Sequence, residues 1–409
     1  MMKKSRHSNL APGETGFFRR RSNFSTSILI CTYLFFTLFS ACRQSPAPAG
    51  PAAPDTADLF ANKAVIKYAR GFSIEYHGSY KLVNIISHSG KKPDTLKYVL
   101  VQRGTTSPSG YEGAQRIEIP VRTMTGMSSM HVAIADFAEC ANIITGLGSL
   151  QYVNSTLVRK NIRAGKVKQI GTEGTMNDEL ILAMHPDLVM AVSSPDARFS
   201  KYQMLTNAGI PVLLNAEWLE VTPLGRAEWV KLMAALVNKE ELVNKKFGNI
   251  EQEYQKIAAL GRKTVQKPSA IIGMPFKGNW FVPDGGSYMA EFMRDAGISY
   301  HWSEGKGTGS LSLDFETVAP VALKANFWLN PGFVNSKADI KAADSRYQDF
   351  KPFRNNTIYN DNNRVNEEGS NDYWESGAVN PHIILADLIK IAHPGLLPEH
   401  KLVYYKQMH

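Results

Sequence analysis

The chain has 409 residues, of which 44% are apolar and 20% charged, so it is long enough for two hydrophobic cores and its body is globular and soluble. The formal charge is +9, but the first 41 residues hold six Lys and Arg residues and one Glu, and the remainder carries only +4. Because that remainder has no basic run of the kind that follows a phosphate backbone, we exclude nucleic-acid binding.

The N-terminus has the pattern of a secretion signal. Arg19-Arg20-Arg21 precede an apolar run over 28–39 that is too short to span a bilayer but suits the hydrophobic region of a signal peptide. The run ends in Leu38-Phe39-Ser40-Ala41-Cys42, which resembles the lipobox of bacterial lipoproteins. The resemblance implies a signal peptide over 1–41 and lipidation of Cys42. An ordinary buried cysteine and a start codon further downstream remain alternatives.

A Pro/Ala-rich segment over residues 42–63 follows the lipobox. Its proline density predicts an extended tether that holds the folded body away from a membrane. If Cys31 is cleaved off and Cys42 carries lipid, only Cys140 remains. The sequence therefore predicts neither an intramolecular disulfide nor a metal site.

A β-rich region over 64–116 comes next, with short β-like runs at 72–76, 81–86 and 98–101 separated by Gly, Pro and Ser turns. From there strands alternate with helices, which predicts an N-terminal α/β lobe over 117–238. Its strands at 187–192 and 210–214 are continuous apolar runs, as expected of a parallel sheet covered on both faces.

A long helical stretch separates this lobe from the rest of the chain. Apolar residues recur at helical spacing from Pro223 to Thr264, and Asn238-Lys239 is expected to break the stretch. The later part carries an apolar stripe and would span roughly 35 Å. We therefore predict a linker helix over 239–266; a long surface helix within one domain is the alternative. The stripe consists of Val243, Phe247, Ile250, Tyr254 and Ile257.

The same alternation of strands and helices resumes over 267–409 and predicts a C-terminal α/β lobe. The predicted fold class is therefore α/β, with two lobes of mostly parallel sheet joined by a single long linker helix. The expected strands are 269–274, 279–283, 298–302, 327–330 and 356–360, and the expected helices 287–296, 315–325 and 381–392.

Catalytic signatures are absent from the sequence. It contains no GxxxxGK[ST], HExxH, GxSxG or dinucleotide motif. The histidines His131, His301, His382 and His393 lie far apart and are expected to be packed or capping side chains. We predict that the protein is not an enzyme and needs no cofactor.

Aromatic residues instead cluster near the ends of predicted strands and in connecting loops, where open α/β sheets place their ligand sites. Large flat side chains suit a bulky, partly apolar, planar ligand, although each one could equally be core packing. These residues are Trp218, Trp280, Tyr288, Trp302, Tyr373 and Trp374.

A family resemblance supports a binding role. The segment 165–190, with Asn177-Asp178-Glu179-Leu180 and Pro186-Asp187-Leu188-Val189, resembles the signature of the iron-complex/vitamin B12 (class III) family of periplasmic substrate-binding proteins of ABC importers. Four further segments resemble a lipoprotein subgroup of that family, and the likeness covers about 117–397. These segments are 223–229, 285–290, 313–316 and 371–377.

The resemblance implies two α/β lobes on one long helix, little hinge motion and a ligand in the interlobe cleft. The protein would act as a monomer on the periplasmic face of a bacterial membrane and deliver a ferric siderophore, haem or cobalamin to a permease driven by an ATPase. One carboxylate on each lobe would dock onto the permease. Glu316 stands at the matching position in lobe two, and Asp196 could replace the glutamate expected in lobe one.

Within this hypothesis nine residues are candidates for the ligand site. An arginine suits a carboxylate or catecholate on an iron chelate. Stacking is expected from Trp218, Trp280, Trp302 and Trp374, and polar or edge contacts from Met127, Ser128, Tyr288, Arg364 and Tyr373.

Other functions remain as alternatives. A surface lipoprotein hydrolase would require a histidine such as His131 or His301 beside a serine and a carboxylate. The same two histidines are the candidates for ligation of haem. No residue ranks iron chelate, haem and cobalamin, and we favour an iron chelate only because of the breadth of the family.

Overall fold

The computed structural model describes residues 58–87, 94–172, 175–193 and 199–409. The predicted signal peptide, Cys42 and most of the tether lie outside these ranges, as does Asp196. Within them, no helix combines the length and the hydropathy that are needed to cross a bilayer.

The described chain begins with a four-stranded sheet, here called the N-terminal sheet. Strands β1 to β3 are antiparallel neighbours and β4 pairs with β3 in parallel. The first three strands overlap the β-like runs of the sequence. The strands are β1 (Phe72–His77), β2 (Tyr80–Ser87), β3 (Asp94–Gln102) and β4 (Gln115–Ile119).

Lobe one is built on a five-stranded parallel sheet in the order β11-β10-β5-β6-β7. Its strands β10 and β11 are almost wholly buried, as their continuous apolar sequences predicted. The elements are β5 (Met124–Gly126), α1 (Ser129–Phe137), β6 (Ile144–Leu147), α2 (Thr156–Arg163), β7 (Lys168–Gln169), β8 (Gly171–Thr172), β9 (Thr175–Met176), α3 (Asp178–Met184), β10 (Leu188–Val192), α4 (Gln203–Asn207) and β11 (Val212–Asn215).

Three consecutive helices lead to lobe two: α5 (Pro223–Ala227), α6 (Val230–Val237) and α7 (Glu240–Arg262). Asn238 ends α6 in the left-handed conformation, with φ of 55°, at the predicted break. Helix α7 has 23 residues and buries the whole predicted apolar stripe. The long linker helix predicted from the sequence is therefore confirmed.

Lobe two contains a second five-stranded sheet in the order β14-β12-β16-β17-β18, parallel except for the last pair, and a separate antiparallel pair, β13-β15. The predicted α/β fold class is confirmed. The elements are β12 (Ser269–Ile272), β13 (Trp280–Pro283), α8 (Tyr288–Asp295), β14 (Ser299–Tyr300), β15 (Ser310–Leu313), α9 (Phe315–Ala322), β16 (Phe327–Leu329), α10 (Lys337–Ala343), α11 (Lys351–Arg354), β17 (Ile358–Asn360), α12 (Ser376–Val379), α13 (Pro381–Ala392) and β18 (Lys406–Gln407).

The N-terminal sheet is joined to the linker helices by a buried lysine. Lys81 of β2 is fully buried, donates to Ala235 O and Asn238 Oδ1 at 2.8 Å each, and forms an ion pair with Glu240 at the start of α7. Burial lowers the pKa of Lys81, and the Glu240 carboxylate opposes that shift. Because both charges are buried, each depends on the other for compensation.

Two buried carboxylates hold the chain that enters this sheet. Glu228 accepts hydrogen bonds from the backbone N–H groups of residues 67–69, at 2.6 to 3.0 Å. Glu220 accepts those of residues 70 and 71, at 2.9 and 2.8 Å. Hydrogen bonds to a charged partner contribute about 1.5–3 kcal/mol each, so this segment is firmly attached to the linker region.

Candidate ligand-binding cleft

A cavity of about 710 Å³ lies between the two lobes. Residues 126–129 and 147–149, which line it from lobe one, follow the carboxyl ends of β5 and β6. Residues 330–335 and 361–362, which line it from lobe two, follow β16 and β17. Open α/β sheets bind ligands at this edge, and the volume falls within the roughly 300–1,000 Å³ of small-molecule sites.

On lobe one the cleft wall is the entry into helix α1. Ser128 is the N-cap residue, and its Oγ accepts a hydrogen bond from Met130 N at 3.1 Å. Met127 is held through its backbone N–H, which lies 3.1 Å from His131 Nδ1. Its side chain needs the glycine at position 148, where a Cβ would lie 3.0 Å from Met127 Cε. The wall is therefore fixed in place before any ligand arrives.

Aromatic side chains stand on both sides of the cavity. Tyr152 of lobe one is 53% exposed and Trp374 of lobe two is 50% exposed. Phe333, in the loop after β16, is fully exposed, and Val365 beside the cavity is 45% exposed. Exposed aromatic surface in a cleft is suited to stacking on a flat or partly apolar ligand.

The lobe-two floor of the cleft is polar. Asp361 follows β17 and is 7% exposed; its two carboxylate oxygens accept from Asn330 Nδ2 at 3.1 Å and from Asn371 Nδ2 at 3.3 Å. Burial raises the pKa of Asp361 to about 6, and the Asn371 hydrogen bond opposes that rise. Asn335 and Asn362 also line the cavity, so the floor offers mainly amide and carboxylate groups.

Below the cleft the lobes are fastened together by the segment 364–375. Glu375 accepts the backbone N–H groups of Asn154 and Ser155 at 2.8 and 2.7 Å. Burial raises the pKa of Glu375 to about 7, although these two hydrogen bonds lower it. Asn366 Nδ2 donates to Val153 O at 2.9 Å. The cleft is therefore bounded by a hydrogen-bonded base as well as by the linker helix.

Three of the nine predicted ligand residues line this cavity: Met127, Ser128 and Trp374. Two others are buried, and the prediction that they face the cleft is wrong: Trp280 has no exposed surface and Tyr373 is 2% exposed. Tyr288 is half-buried outside the lining and lies under Arg226, whose guanidinium carbon is 5.3 Å from the ring centroid.

The remaining three lie at the surface but outside the lining, so the structure does not bring them to the ligand either. Trp218 is 43% exposed and donates its indole N–H to Ser193 O at 2.8 Å. Trp302 is half-buried against Tyr300. Arg364 pairs with Asp372 at 2.8 Å, and both residues line a separate depression.

Sequence reasoning missed Tyr152, Phe333, Asn335, Asp361 and Asn362, all of which line the cavity. A signal was present for four of them. The strands that end near Asn330 and Asn360 were predicted, and residues that follow parallel strands belong to the ligand edge. Asn and Asp at these positions were not predicted as ligand contacts, because polar residues are common in all loops and do not by themselves indicate a site.

Of the two residues predicted to dock onto the permease, Glu316 lies within the described residues. Glu316 stands in the first turn of α9, is well exposed, and lies 3.9 Å from the Arg346 guanidinium. Asp196 lies outside the described ranges.

The histidines do not assemble a reactive centre in the cleft. His131 is fully buried, burial lowers its pKa to about 3, and its Nδ1 accepts the Met127 N–H. His301 is exposed and stands edge-on to Trp302. Neither lines the cavity. Within the part of the chain that the structure covers, no group of three or more His, Cys, Asp and Glu residues is arranged to hold a metal ion.

Comparison with known proteins identifies the family. Residues 150–364, just over half of the chain, match the family model described as periplasmic binding protein. The chain therefore belongs to the periplasmic binding protein family, as the sequence resemblance implied. The N-terminal sheet precedes the matched segment.

Individual relatives agree with this assignment. An uncharacterized lipoprotein of Methanocaldococcus jannaschii is 25% identical over 366 residues, which cover 83% of this chain and 84% of the relative. A possible iron-binding (periplasmic solute-binding) protein of Staphylococcus epidermidis has a TM-score of 0.52 at 13% identity, over 67% of this chain and 99% of its own. An ABC-type Fe3+-hydroxamate transport protein of Saccharomonospora viridis has a TM-score of 0.50 at 15% identity, over 66% and 93%.

Proposed function

We propose that this protein captures an iron chelate (a ferric siderophore or haem) or cobalamin in the interlobe cleft and delivers it to the permease of an ABC importer. The observation that carries the proposal is the cavity of about 710 Å³ at the carboxyl ends of both sheets, with Tyr152, Phe333 and Trp374 on its walls. Two structural relatives whose names refer to iron and to Fe3+-hydroxamate transport are consistent with this ligand class.

The rigid base of the cleft supports capture without large hinge motion. Hydrogen bonds from the backbone N–H groups of Asn154 and Ser155 to Glu375 join the lobes at the base of the cleft. A preformed site loses little conformational freedom on binding, which favours affinity. We therefore expect a change in lobe angle on binding that is small compared with hinge-closing binding proteins.

Tryptophan fluorescence tests the proposal. Purified protein is titrated with a ferric siderophore of each main class, haemin and cyanocobalamin. Trp374 and Trp218 are similarly exposed, but only Trp374 lines the cavity, so Trp374→Phe and Trp218→Phe form a matched pair. Quenching should persist in the Trp218 variant and fall sharply in the Trp374 variant. No response to any of these ligands would overturn the proposal.

Anchoring through Cys42 is the second part of the proposal. A lipid at this position would hold the binding protein near its permease and raise its effective concentration there. In cells that process lipoproteins, the wild type should incorporate labelled fatty acid and fractionate with membranes, whereas Cys42→Ser should be unlabelled. Equal labelling of both forms would remove Cys42 from its proposed role.

Permease docking through Glu316 is the third part, with Asp196 proposed for the other lobe. Glu316 is exposed and stands on lobe two outside the cleft lining. Glu316→Arg should therefore reduce stimulation of the transporter ATPase by loaded binding protein while the ligand Kd stays unchanged. Full stimulation by this variant would argue against docking at Glu316.

A further inference from the structure

The cleft has an unusual charge composition for an iron-chelate site. Its described lining contains no Lys, Arg or His, and Asp361 is the only carboxylate in it. The other polar members are serines and asparagines, which are uncharged. The described walls therefore give the cavity a formal charge of −1 when Asp361 is ionised.

No basic side chain compensates Asp361. Its oxygens accept from the side-chain amides of Asn330 and Asn371 and from its own backbone N–H. Three donors still leave unused acceptor capacity on a carboxylate, which has about four lone-pair sites. Since the residue is 7% exposed and lines the cavity, a donor group on a bound solute is the natural partner for that capacity.

Two arginines that stand close in sequence to lining residues, Arg159 after Val153 in lobe one and Arg364 beside Val365 in lobe two, are already engaged. Arg159 forms an ion pair with Glu368 and donates to Val153 O at 3.2 Å. Arg364 forms one with Asp372 at 2.8 Å. Neither arginine lines the cavity, so each would have to leave a carboxylate partner in order to meet an anionic solute.

Lobe one faces the cleft with the opposite polarity. Ser128 and Ser129 at the start of α1 line the cavity, and the N-terminal end of a helix carries a partial positive charge of about one half. Ser128 already accepts the Met130 N–H through Oγ and the His131 N–H through its carbonyl oxygen, at 3.0 Å. Of these first three N–H groups, that of Ser129 is left to meet a carbonyl oxygen, and half a charge does not offset the full charge of Asp361.

Building on the proposed function, we propose that the cleft selects a solute with no net negative charge that carries amide groups, and that Asp361 sets this preference. Amide carbonyls would face the start of α1, and amide N–H groups would face Asp361. A neutral ferric tris-hydroxamate with a peptide-like backbone, or a corrinoid with its amide side chains, has this chemistry. A ferric tris-catecholate and haem with two ionised propionates do not.

Two pairs of ligands measure the preference in the unmodified protein. The first pair is one tripodal scaffold that carries either three hydroxamates or three catecholates around Fe3+, neutral and anionic respectively. The second pair is cyanocobalamin and its monocarboxylate, in which one amide is hydrolysed. In the cobalamin pair, which differs by one charge, the neutral member should bind more tightly by on the order of 30-fold, the effect of a like charge about 8 Å away at an effective dielectric constant of about 20. The ferric tris-catecholate carries three negative charges, so the preference in the first pair should be larger.

The Asp361→Asn variant then tests whether Asp361 causes the preference for the neutral ligand. This variant should reduce the 30-fold difference to a few-fold, mainly because the anionic ligand binds better. Glu367→Gln is the control, since Glu367 is exposed, carries the same charge and lies outside the lining; it should keep the difference. The ligand pairs need no substitution, so the charge preference is tested even if Asp361→Asn does not fold.

The outcomes separate this inference from the function on which it rests. Equal or tighter binding of the anionic member overturns the charge preference and leaves the transport function standing. If the control narrows the difference as much as Asp361→Asn, Asp361 is not the residue responsible. Absence of binding by both pairs, by haemin and by other ferric siderophores overturns the proposed function and the charge preference together.

Discussion

Lobe two has an open part at the cleft and a closed part in its interior, and adjacent residues belong to different parts. Trp374 is 50% exposed on the wall of the cleft, whereas Tyr373 is 2% exposed and packs edge-on against Tyr404 and Tyr405 of the same lobe. One short segment thus provides a cleft wall with one side chain and interior packing with the next. Stability and ligand affinity should therefore respond to different substitutions within a few residues.

The largest effect is expected from the closed part. Tyr373→Ala removes a buried ring and leaves a cavity, so the free energy of unfolding should fall by about 3 kcal/mol or more. Denaturant-induced unfolding measures this loss. A change below about 1 kcal/mol would show that the packing around Tyr373 contributes little to the free energy of unfolding. The contrast with Trp374 would then disappear.

The next effect concerns pH. Burial raises the pKa of Glu375 to about 7 from an ordinary value of 4.5. A carboxyl group with a raised pKa favours folding when protonated, so its contribution is fully present below about pH 4.5 and is lost as pH rises through about 7. Over that interval the wild type should lose up to about 3 kcal/mol relative to Glu375→Gln.

Glu368 provides a control of opposite sign on the same segment. The hydrogen bond from Arg159 lowers the pKa of Glu368, so its contribution is present above the ordinary value and is lost as pH falls. Unfolding curves across pH should separate the two variants in opposite directions. Parallel pH profiles for Glu375→Gln and Glu368→Gln would contradict the assignment of Glu375 to a buried site.

In the open part, ligand affinity should change more than stability. Trp374→Ala should weaken binding roughly 30-fold, as for tryptophans that dominate binding sites. Its effect on unfolding should stay below about 1 kcal/mol, because half of the side chain is already exposed. Calorimetric titration and denaturation of the same preparation give both numbers. A large loss of stability would place Trp374 with Tyr373 in the packed part.

The smallest effect is expected at the rim. Phe333→Ser should change the free energy of unfolding by no more than about 0.5 kcal/mol, since the ring is fully exposed. Affinity should fall several-fold through the loss of apolar contact area. Unchanged affinity would limit the ligand wall to Tyr152 and Trp374.

The fold was predictable where periodicity alone decides the structure. The stripe from Val243 to Ile257 defined α7, and the run from Leu188 to Val192 defined a central strand of lobe one. In both cases the spacing of apolar residues within a single element indicates which of its side chains are buried. No knowledge of distant partners is needed to interpret them.

The site was less predictable because exposure depends on partners that are distant in the chain. Strand β13 was expected, but Trp280 and Phe281 point to opposite faces of it, and only pairing with β15 decides which ring is buried. Trp280 then packs against Trp328 and Phe350. The alternation of side chains along a strand indicates that one of two neighbouring rings is exposed, but it does not indicate which one.

The predicted ligand residue Arg364 lies outside the cleft lining for a related reason. An isolated arginine in a loop suggests an anion site, but its partner Asp372 lies eight residues further on and meets it only after the chain turns. The useful signal was position. Asp361 and Asn362 directly follow the predicted strand that ends at Asn360, and both line the cavity.

The docking of the N-terminal sheet has a consequence for how this protein could have diverged. Lys81 supplies the counter-charge of Glu240, and residues 67–71 supply the hydrogen-bond donors of Glu228 and Glu220. A shortened descendant without this region would keep Lys231 beside Glu228 and the Trp229 indole N–H beside Glu220, but Glu240 would lose its ion-pair partner. Loss of the sheet in evolution, or its removal by truncation, would therefore select first for replacement of Glu240.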